Sequence, residues 1–456
     1  MRASSREFRR LLELAVPVTV SQVGMMLLGV VDTIMVGHVS VEALGAATLG
    51  HIWILGTMML GMGFIFGIDP VVSQAHGSGN VRRMALGLQR GLVLSGIISV
   101  PVALVWLVAE PGLLLFGQDP QLAALAERYV WVQIPSIPVF FAFITLRHYL
   151  QDRGIVRPTM YIALIANGFN VVFNWMFIFG NLGVPPLGVL GAGLATALTR
   201  MTMLVMLVAV VRGRRLHDGA WIPWSRDAFR RSGLREIVAY GAPVGIQISL
   251  EIWAFQISTL LAGLLGRVEL AAHTVALNLA SLSFMVPLGI SISAVTRVGN
   301  LLGMGRLRRA QIAAWVALGL GAGAMLVSAA VFVALRHWLP GLYTPDTAVA
   351  ATAAALLPIA AAFQIFDGTQ VVGGGILRGM GKTRPAAVFN LVGYYVLALP
   401  LGWWLGFRAG WGIEGVWWGL MLGLAVVAVC LVAWIWKRGP AHMDPREVRE
   451  AAARTD

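Results

Sequence analysis

Residues 358–385 read PIAAAFQIFDGTQVVGGGILRGMGKTRP, an apolar run that ends in a short basic loop. From residue 358 to residue 375 the run carries one charged side chain, the carboxylate of Asp367. A helix rises 1.5 Å per residue, so about 20 residues cross a hydrocarbon layer of about 30 Å. Together with the apolar residues that precede it, this stretch therefore predicts a helix that crosses a membrane.

Similar apolar runs recur along the whole chain. Of its 456 residues, 58% are hydrophobic and 12% are charged, whereas roughly a quarter of the residues in a soluble globular protein are charged. The short alternating segments of a β-barrel are missing, so the sequence predicts an all-α polytopic membrane protein. We expect twelve transmembrane helices, over residues 11–37, 44–70, 86–109, 126–149, 158–180, 187–211, 237–264, 270–296, 311–335, 348–375, 386–407 and 413–436.

Basic residues are concentrated in alternate loops. The chain has a net charge of +13, and its Lys and Arg residues cluster before the first span and after every even-numbered span. The remaining loops hold only Arg128, Arg267, Arg336 and Arg408. By the positive-inside rule, this pattern predicts a multi-pass protein of the inner (cytoplasmic) membrane with both termini in the cytoplasm. The basic excess therefore indicates topology and does not indicate a nucleic-acid surface.

The second half of the chain repeats the first half at a nearly constant offset. Segments that share Pro, Gly and Arg residues at matching places are 14–18 with 240–244, 77–83 with 303–309, and 154–158 with 381–385. Two pseudo-symmetric six-helix bundles of the same orientation explain this offset, and transporters built in this way bind substrate near the membrane midplane. We expect an N-terminal bundle, a cytoplasmic linker, a C-terminal bundle and a cytoplasmic tail, at 1–213, 214–236, 237–438 and 439–456.

Three carboxylates fall inside predicted spans. Glu251 and Asp367 lie deep, while Asp32 lies nearer the external end of the first span. An uncompensated acid at such depth costs on the order of 2.5–3.5 kcal/mol, and Arg200 is the one embedded base. Such acids suit a cation-coupled carrier, although an acid bonded to the helix backbone or paired with Arg200 is the structural alternative. For Asp69, at the cytoplasmic end of the second span, we expect a structural role.

Polar and aromatic residues accompany these acids. Asn167, Asn170 and Asn174 share one face of the fifth span. With Asp32 they offer hard oxygen ligands for Na⁺ or a hydrogen-bond network, and helix packing is the alternative. Aromatic rings near the two deep acids suit a flat organic cation, unless they face lipid or the core. Around those acids we assign substrate binding to Gln247, Trp253, Phe255, Phe363 and Phe366.

Several motifs together resemble one transporter family. They are Val31-Asp32-Thr-Ile-Met-Val-Gly37, Asn170-Val-Val-Phe-Asn174-Trp, Leu250-Glu251, His273-Thr-Val-Ala-Leu-Asn278 and Gln364-Ile-Phe-Asp367-Gly. With these motifs the chain resembles the multidrug and toxic compound extrusion (MATE) family, in its NorM-like branch. The resemblance extends over essentially the whole chain.

The resemblance implies the MATE fold and the efflux of organic cations in exchange for Na⁺ or H⁺. It implies a second-half site for cation and substrate at Glu251 and Asp367, with Asn278 among the substrate-binding residues. It also implies a first-half network of Asp32, Asn170, Asn174 and Thr196. Similar proteins often have a tyrosine where this chain has Phe363, so one oxygen ligand is missing from the second-half site.

We therefore expect a monomeric antiporter that exports organic cations and drugs by alternating access. It is expected to need no cofactor, only a coupling ion, Na⁺ or H⁺. Sodium is expected either at Glu251 and Asp367 or at Asp32, Asn170 and Asn174. Flipping of a lipid-linked precursor is the alternative function, but it calls for a basic cavity, which the embedded acids oppose. An enzyme is not expected, because the histidines are scattered over different spans.

Overall fold

The computed structural model describes residues 2–453 of the chain. Within this range, twelve helices are long and apolar enough to cross a membrane. Each coincides with one of the twelve predicted spans, which confirms the all-α polytopic architecture. In chain order the helices are α1 (Arg2–Gly37), α2 (Val41–Ser78), α3 (Val81–Trp106), α4 (Pro120–Asp152), α5 (Arg157–Phe179), α6 (Val189–Gly213), α7 (Arg231–Leu265), α8 (Arg267–Gly303), α9 (Leu307–Ala334), α10 (Thr347–Gly379), α11 (Arg384–Arg408) and α12 (Gly412–Arg438).

The two halves of the repeat end equivalent helices in the same way. Gly154 follows α4 with a φ of 77°, and Gly381 follows α10 with a φ of 72°. Their N–H groups donate back to the carbonyls of Gln151 and Arg378. A side chain with a Cβ is strained in this left-handed conformation, so both loops require glycine. The proline that opens the next helix suits a position where a backbone N–H has no helical partner.

Three of the helices are interrupted. The α-helical hydrogen bonding of α2 breaks at residues 66–67, and α4 contains a 3₁₀ turn at Ile134–Ser136. α11 widens into π-helical turns at Leu391–Ala398 and Trp404–Arg408. A π-helical turn changes the direction of the side chains around it, because each residue then turns through a smaller angle. In α11 this affects the direction in which Tyr394 points.

The chain forms two compact units, one from residues 2–19 and 246–452 and the other from residues 20–245. Both points of division lie inside a helix, α1 and α7, whereas the sequence predicts division in a loop. The two points are equivalent in the internal repeat, which pairs Pro17 with Pro243. Each half of the repeat therefore contributes the start of its first helix to the unit that contains most of the other half.

Glycines allow these two helix starts to pack closely. A Cβ added to Gly63 of α2 would lie 2.0 Å from the Cα of Gly245 in α7. In the other unit, a Cβ added to Gly289 of α8 would lie 2.1 Å from the hydroxyl oxygen of Thr19 in α1. Gly63 and Gly289 occupy equivalent positions of the repeat. A larger side chain at either position would push the two helices apart.

Ion pairs hold the same two helix starts. Glu7 of α1 is fully buried and accepts hydrogen bonds from Arg297 (2.6 and 3.0 Å) and Arg309 (2.6 Å). Glu236 of α7 accepts a hydrogen bond of 2.7 Å from Arg83. Arg83 and Arg309 are equivalent in the repeat. In both units, the same arginine position thus binds a glutamate at the start of the other half's first helix.

The connection between α6 and α7 covers residues 214–230, because α7 begins inside the predicted linker 214–236. Side chains of the unit formed by residues 20–245 hold this connection in place. The Gln89 amide donates to the carbonyl of Ile222 at 2.9 Å, and the Tyr149 hydroxyl donates to another carbonyl of the segment at 2.5 Å. The connection is therefore a docked part of that unit.

Candidate functional site

Two carboxylates lie together in the unit built from residues 2–19 and 246–452. Glu251 belongs to α7 and Asp367 to α10, and the two groups interact electrostatically. Only 6% of the Asp367 surface is exposed. The amide nitrogen of Gln370 donates to Glu251 Oε2 at 3.3 Å. Among residues 2–453, no lysine or arginine pairs with either carboxylate, so the site favours the uptake of a cation.

Glycines of the stretch 358–385 determine how closely α10 approaches its neighbours. A Cβ added to Gly374 would lie 3.0 Å from the amide nitrogen of Gln247 in α7. A Cβ added to Gly375 would lie 2.4 Å from the hydroxyl of Ser291 in α8. Gln247 is one turn from Glu251 on α7. These contacts therefore fix the height at which the carboxylate of α10 meets the carboxylate of α7.

Several buried polar atoms near the carboxylates have no hydrogen-bond partner in the part of the chain that is described. The Tyr394 hydroxyl is one of them, and it interacts electrostatically with both acids. An unpaired buried polar group costs about 1–3 kcal/mol, so a cluster of them indicates a place for an ion, a ligand or water. The atoms are Asp367 Oδ1, Gln364 Oε1 and Nε2, Gln370 Oε1, Asn390 Nδ2 and Tyr394 Oη.

The donor set of this cluster is dominated by hard oxygen atoms. Two carboxylates, the amide oxygens of Gln364 and Gln370, and a phenol suit a monovalent cation or a proton network. No group of three or more His, Cys, Asp or Glu side chains able to hold a metal ion occurs among residues 2–453. The residues present therefore fit an alkali cation such as Na⁺, which would be transported cargo.

Aromatic rings pack around the second-half carboxylates. Phe255 lies 5.9 Å from Phe363 and 6.0 Å from Tyr394, measured between ring centroids, and both pairs are edge-to-face. Phe363 also packs against Trp417 at 5.8 Å, and only 2% of its surface is exposed. Such pairs add specific packing energy to apolar burial. Phe363 thus fills the core, and Tyr394 supplies a phenol hydroxyl near the two acids.

A second polar cluster lies in the unit formed by residues 20–245. Asp32 of α1 accepts hydrogen bonds from Asn170 (2.9 Å) and Asn174 (2.6 Å) of α5. Its other oxygen accepts a bond of 2.7 Å from Thr196 of α6. The structure therefore brings together the four residues of the expected first-half network. Asn167 instead donates to backbone carbonyls of α1 and α5, which is the helix-packing alternative.

Arg200 belongs to this first-half cluster. It follows Thr196 by one turn of α6, and its Nη1 donates to Ser136 Oγ at 3.0 Å. Its guanidinium carbon lies 5.0 Å from the ring centroid of Phe140. It also interacts electrostatically with Asp32. The one embedded base found in the sequence therefore lies near the first-half acid.

Asp69 is engaged elsewhere in the same unit. Its Oδ1 lies 2.9 Å from Nδ1 of His148, and both side chains are buried. The His148 ring stacks on Phe66 with 4.4 Å between centroids, at the break in α2. This pair joins α2 to α4, in keeping with the structural role expected for Asp69.

Comparison with known proteins decides the family. The MatE family model matches two parts of the chain, residues 17–176 and 243–404. The chain belongs to the MatE family. The two matches begin at Pro17 and Pro243, which are equivalent positions of the internal repeat. The family also makes the protein a transporter of the MATE class and not an enzyme.

Relatives of this MatE protein come from bacteria and animals. It is 35% identical over 436 residues to the probable multidrug resistance protein NorM of Pseudomonas putida, with 94% of each chain covered. It is 36% identical over 427 residues to the multidrug resistance protein NorM of Burkholderia vietnamiensis, with 92% of each covered. Multidrug and toxin extrusion protein 1 of Xenopus tropicalis is 32% identical, over 97% of this chain and 77% of the relative.

Solved structures confirm the MATE fold. The structure of the eukaryotic MATE transporter AtDTX14 matches with a TM-score of 0.91 at 24% identity, and all of both chains is covered. The Vibrio cholerae MATE transporter VcmN in its bent form matches with a TM-score of 0.84 at 20% identity, over 99% of this chain and 100% of VcmN. The protein is therefore a multi-pass membrane protein with the MATE fold.

The predicted substrate-binding residues of this MatE protein fall into two groups. Phe255 and Gln247 lie on the helix of Glu251, and Phe366 is half-buried against the hydrophobic core of the same unit. Trp253 is 46% exposed, and Asn278 is also exposed. No hydrogen bond or ring contact within the described range brings Trp253 or Asn278 to the carboxylates, so their assignment stays a prediction.

Two polar residues of the MatE site are not evident from the sequence. Asn390 accepts a hydrogen bond of 3.2 Å from Gln370, which also donates to Glu251. Tyr394 follows Asn390 by four residues on α11. The one sequence feature that could have identified them is the spacing of Asn390 and Tyr394, which are polar and lie one helical turn apart in an otherwise apolar span. It is weak, because neither side chain carries a charge.

Proposed function

We propose that this protein exports organic cations, including drugs, in exchange for Na⁺ or H⁺ that moves inward. The observation that carries this proposal is the pair Glu251 and Asp367, two buried acids without a basic partner among the described residues. The unpaired polar atoms around them favour an occupant that is positively charged. Relatives named for multidrug resistance and for toxin extrusion support the choice of substrate class.

Exchange follows if the coupling ion and the organic cation compete for the two carboxylates. Each can occupy the site only when the other has left, and the two movements are coupled because each ligand binds the outward-facing and inward-facing states with different affinity. Na⁺ or H⁺ that enters from outside would displace the drug, and its release inside would restore the site. Aromatic rings such as Phe255 give a flat cation a surface for stacking.

Drug transport by Glu251→Gln and Asp367→Asn tests this proposal. Purified protein in liposomes receives either a Na⁺ gradient or a pH gradient, and drug movement is followed by fluorescence. We expect at least a tenfold loss of transport in both variants under the gradient that drives the wild type. Asp346→Asn is the control, because Asp346 caps the exposed start of the same α10 helix. Wild-type transport by both site variants would refute the proposal.

We further propose that the protein acts as a monomer in the cytoplasmic membrane, with both termini inside the cell. The alternation of basic loops supports this orientation. Accessibility of single cysteines to an impermeant reagent in intact cells tests it, and the one native cysteine, Cys430, is first replaced by serine. Labelling of a cysteine in the 214–230 connection from outside would contradict the orientation.

A further inference from the structure

A buried histidine and a buried tryptophan lie to one side of the second-half carboxylates. His273 of α8 and Trp417 of α12 are both 0% exposed, and their rings meet edge-to-face with 5.6 Å between centroids. His273 is six residues from the start of α8, and Trp417 is five residues from the start of α12. At 1.5 Å per residue, both lie about 8–9 Å inside the end of the unit that faces outside in the orientation proposed above.

The contacts of His273 determine which of its ring nitrogens carries hydrogen. Thr259 Oγ1 lies 3.2 Å from His273 Nε2, and the same hydroxyl donates its one hydrogen to the carbonyl of Phe255 at 3.0 Å. The hydroxyl oxygen therefore accepts from the imidazole, so Nε2 carries the hydrogen of the neutral ring. His273 Nδ1 keeps a lone pair that no group of residues 2–453 satisfies.

The Trp417 ring offers the complementary group. Its Nε1–H is buried and has no acceptor in the described part of the chain. Buried polar groups are normally satisfied by protein or by ordered water. A water molecule can donate to His273 Nδ1 and accept from Trp417 Nε1, whereas Na⁺ needs oxygen ligands that these two rings do not supply. The pair therefore fits water and protons.

Two phenylalanine rings stand between this pair and the carboxylates. Phe255 lies one turn from Glu251 on α7, and its ring is 5.9 Å from that of Phe363. Phe363 in turn lies one turn from Asp367 on α10, and it contacts Trp417 at 5.8 Å. A proton crosses this apolar layer only when the rings part and admit water. The layer therefore prevents a continuous water chain from outside to the acids.

The internal repeat shows that the fold does not require an imidazole or an indole at these places. Ala47 occupies the position equivalent to His273, and Leu190 occupies the position equivalent to Trp417. The first half thus packs with apolar residues where the second half has two polar rings. Their presence in one half only favours a role beyond packing.

Within the described residues, His273 forms a side-chain hydrogen bond with Thr259 and an ion pair with no charged side chain. Two acids lie nearer the outer end of the same helices, because Glu269 precedes His273 by one turn and Glu414 precedes Trp417 by one turn. α9 has no titratable side chain after Arg309. The titratable groups on the helices around His273 are Glu251, Arg267, Glu269, Asp367, Tyr394 and Glu414.

We infer that His273 carries protons from outside to Glu251 and Asp367, with a water molecule held between its Nδ1 and Trp417 Nε1. The water gives a proton to Nδ1, which makes an imidazolium, and takes a proton from outside in return. When the two phenylalanine rings part, the same nitrogen gives its proton to a carboxylate and the neutral imidazole returns. The inference rests on the proposed function in naming the acids the coupling site, and it selects H⁺ as an ion that drives export.

Drug transport by His273→Gln in liposomes tests this role. Glutamine can still donate to Thr259 but does not take up a proton. Transport is measured under a pH gradient alone and under a Na⁺ gradient alone, and drug affinity is measured at fixed pH. We expect transport driven by the pH gradient to fall at least tenfold, while drug affinity and any transport driven by Na⁺ stay within twofold of the wild type. His337→Gln changes an exposed histidine beyond the end of α9 and is the control.

Undiminished transport under the pH gradient would overturn the inference, and so would a wild type that does not respond to that gradient. Equal losses under both gradients, or a matching loss of drug affinity, would show a structural role and overturn it as well. Trp417→Phe keeps a packed ring and removes the N–H, so it tests the inference even if His273→Gln does not fold. It should slow transport driven by the pH gradient about threefold or more at unchanged drug affinity. Failure of the proposed function is separate, because it appears as undiminished transport in Glu251→Gln and Asp367→Asn.

Discussion

The phenol of Tyr394 lies near two carboxylates, and its hydroxyl has no hydrogen-bond partner in the described chain. Tyr394→Phe removes the hydroxyl and keeps the ring that packs on Phe255. A hydrogen bond contributes about 1.5–3 kcal/mol when a charge is involved, which corresponds to a roughly 10- to 150-fold change in affinity. We expect the ion concentration for half-maximal drug transport in liposomes to rise by that factor.

Tyr395 offers a matched control on the same turn. Its hydroxyl donates to the backbone carbonyl of Leu250 at 3.2 Å. Tyr395→Phe therefore removes a phenol hydroxyl without removing the one beside Asp367. The ion dependence of Tyr395→Phe should stay close to that of the wild type. Equal shifts in the two variants would show that the Tyr394 hydroxyl has no special part in ion binding.

In the second-half site the charged residues are predictable from the sequence, whereas the neutral Asn390 and Tyr394 are not. Glu251 and Asp367 attract attention because a buried acid is costly, so a membrane span rarely contains one. Tyr394 and Asn390 become site residues only because α11 packs beside the other two helices. A single sequence does not show which helices are neighbours. The same limit explains why Phe363 looks like a missing ligand when it is a packed core residue.

At the level of helices, the start of α1 is fixed by one buried glutamate. Glu7→Gln leaves Arg297 and Arg309 without their carboxylate. Removal of one partner from a buried ion pair costs about 3–5 kcal/mol. We therefore expect a marked fall in the melting temperature of the purified protein in detergent. Glu13→Gln is the control, because its pairs with arginines are exposed and such pairs contribute at most about 1 kcal/mol.

The contact of α7 with α2 gives a second prediction about helices. Gly63→Ala would place a Cβ 2.0 Å from the Gly245 backbone, so the helices must separate. Overpacking of this kind costs about 1–3 kcal/mol, and the melting temperature should fall. Gly96→Ala on α3 adds a methyl group where nothing lies within 4 Å, and it should leave stability equal or slightly higher. If Gly63→Ala melts at the same temperature as the wild type, the close contact between Gly63 and Gly245 is contradicted.

The membrane helices are easier to predict from the sequence than the contacts that each helix makes with its neighbours. The length and apolarity of the runs were sufficient for all twelve membrane helices, because a backbone inside a bilayer has to satisfy its own hydrogen bonds. The sequence places Arg231, Arg235 and Glu236 in the linker because their charges are typical of a solvated loop, whereas the helix α7 begins at Arg231. In the structure Glu236 is paired with Arg83, and the helix continues through it.

For the whole molecule, the exchange of helix starts predicts how a cut chain behaves. A protease site inserted between Asp218 and Gly219 lies in the exposed part of the 214–230 connection. Cleavage there leaves two fragments. The first fragment contributes residues 2–19 to the unit formed mainly by the second, and the second fragment contributes the start of α7 to the unit formed mainly by the first. We expect the fragments to elute together on size-exclusion chromatography in detergent.

A double variant makes this test discriminating. When Glu7→Gln and Glu236→Gln are combined in the cleavable protein, both ion pairs that bind the helix starts are lost. The fragments should then separate at a lower denaturant concentration than in the parent protein. Separation of the parent fragments without denaturant would show that the exchanged helix starts contribute little.

The exchange of helix starts also has a consequence for the order of synthesis. Residues 2–19 emerge first from the ribosome, yet the unit to which they belong is completed only after Arg297 and Arg309 have been made. At about 5–20 residues per second, Glu7 waits on the order of 15–60 s for these partners. The carboxylate that is buried in the finished protein must therefore stay in water during most of translation. The many arginines of this segment, Arg2, Arg6, Arg9 and Arg10, suit a wait at the membrane surface.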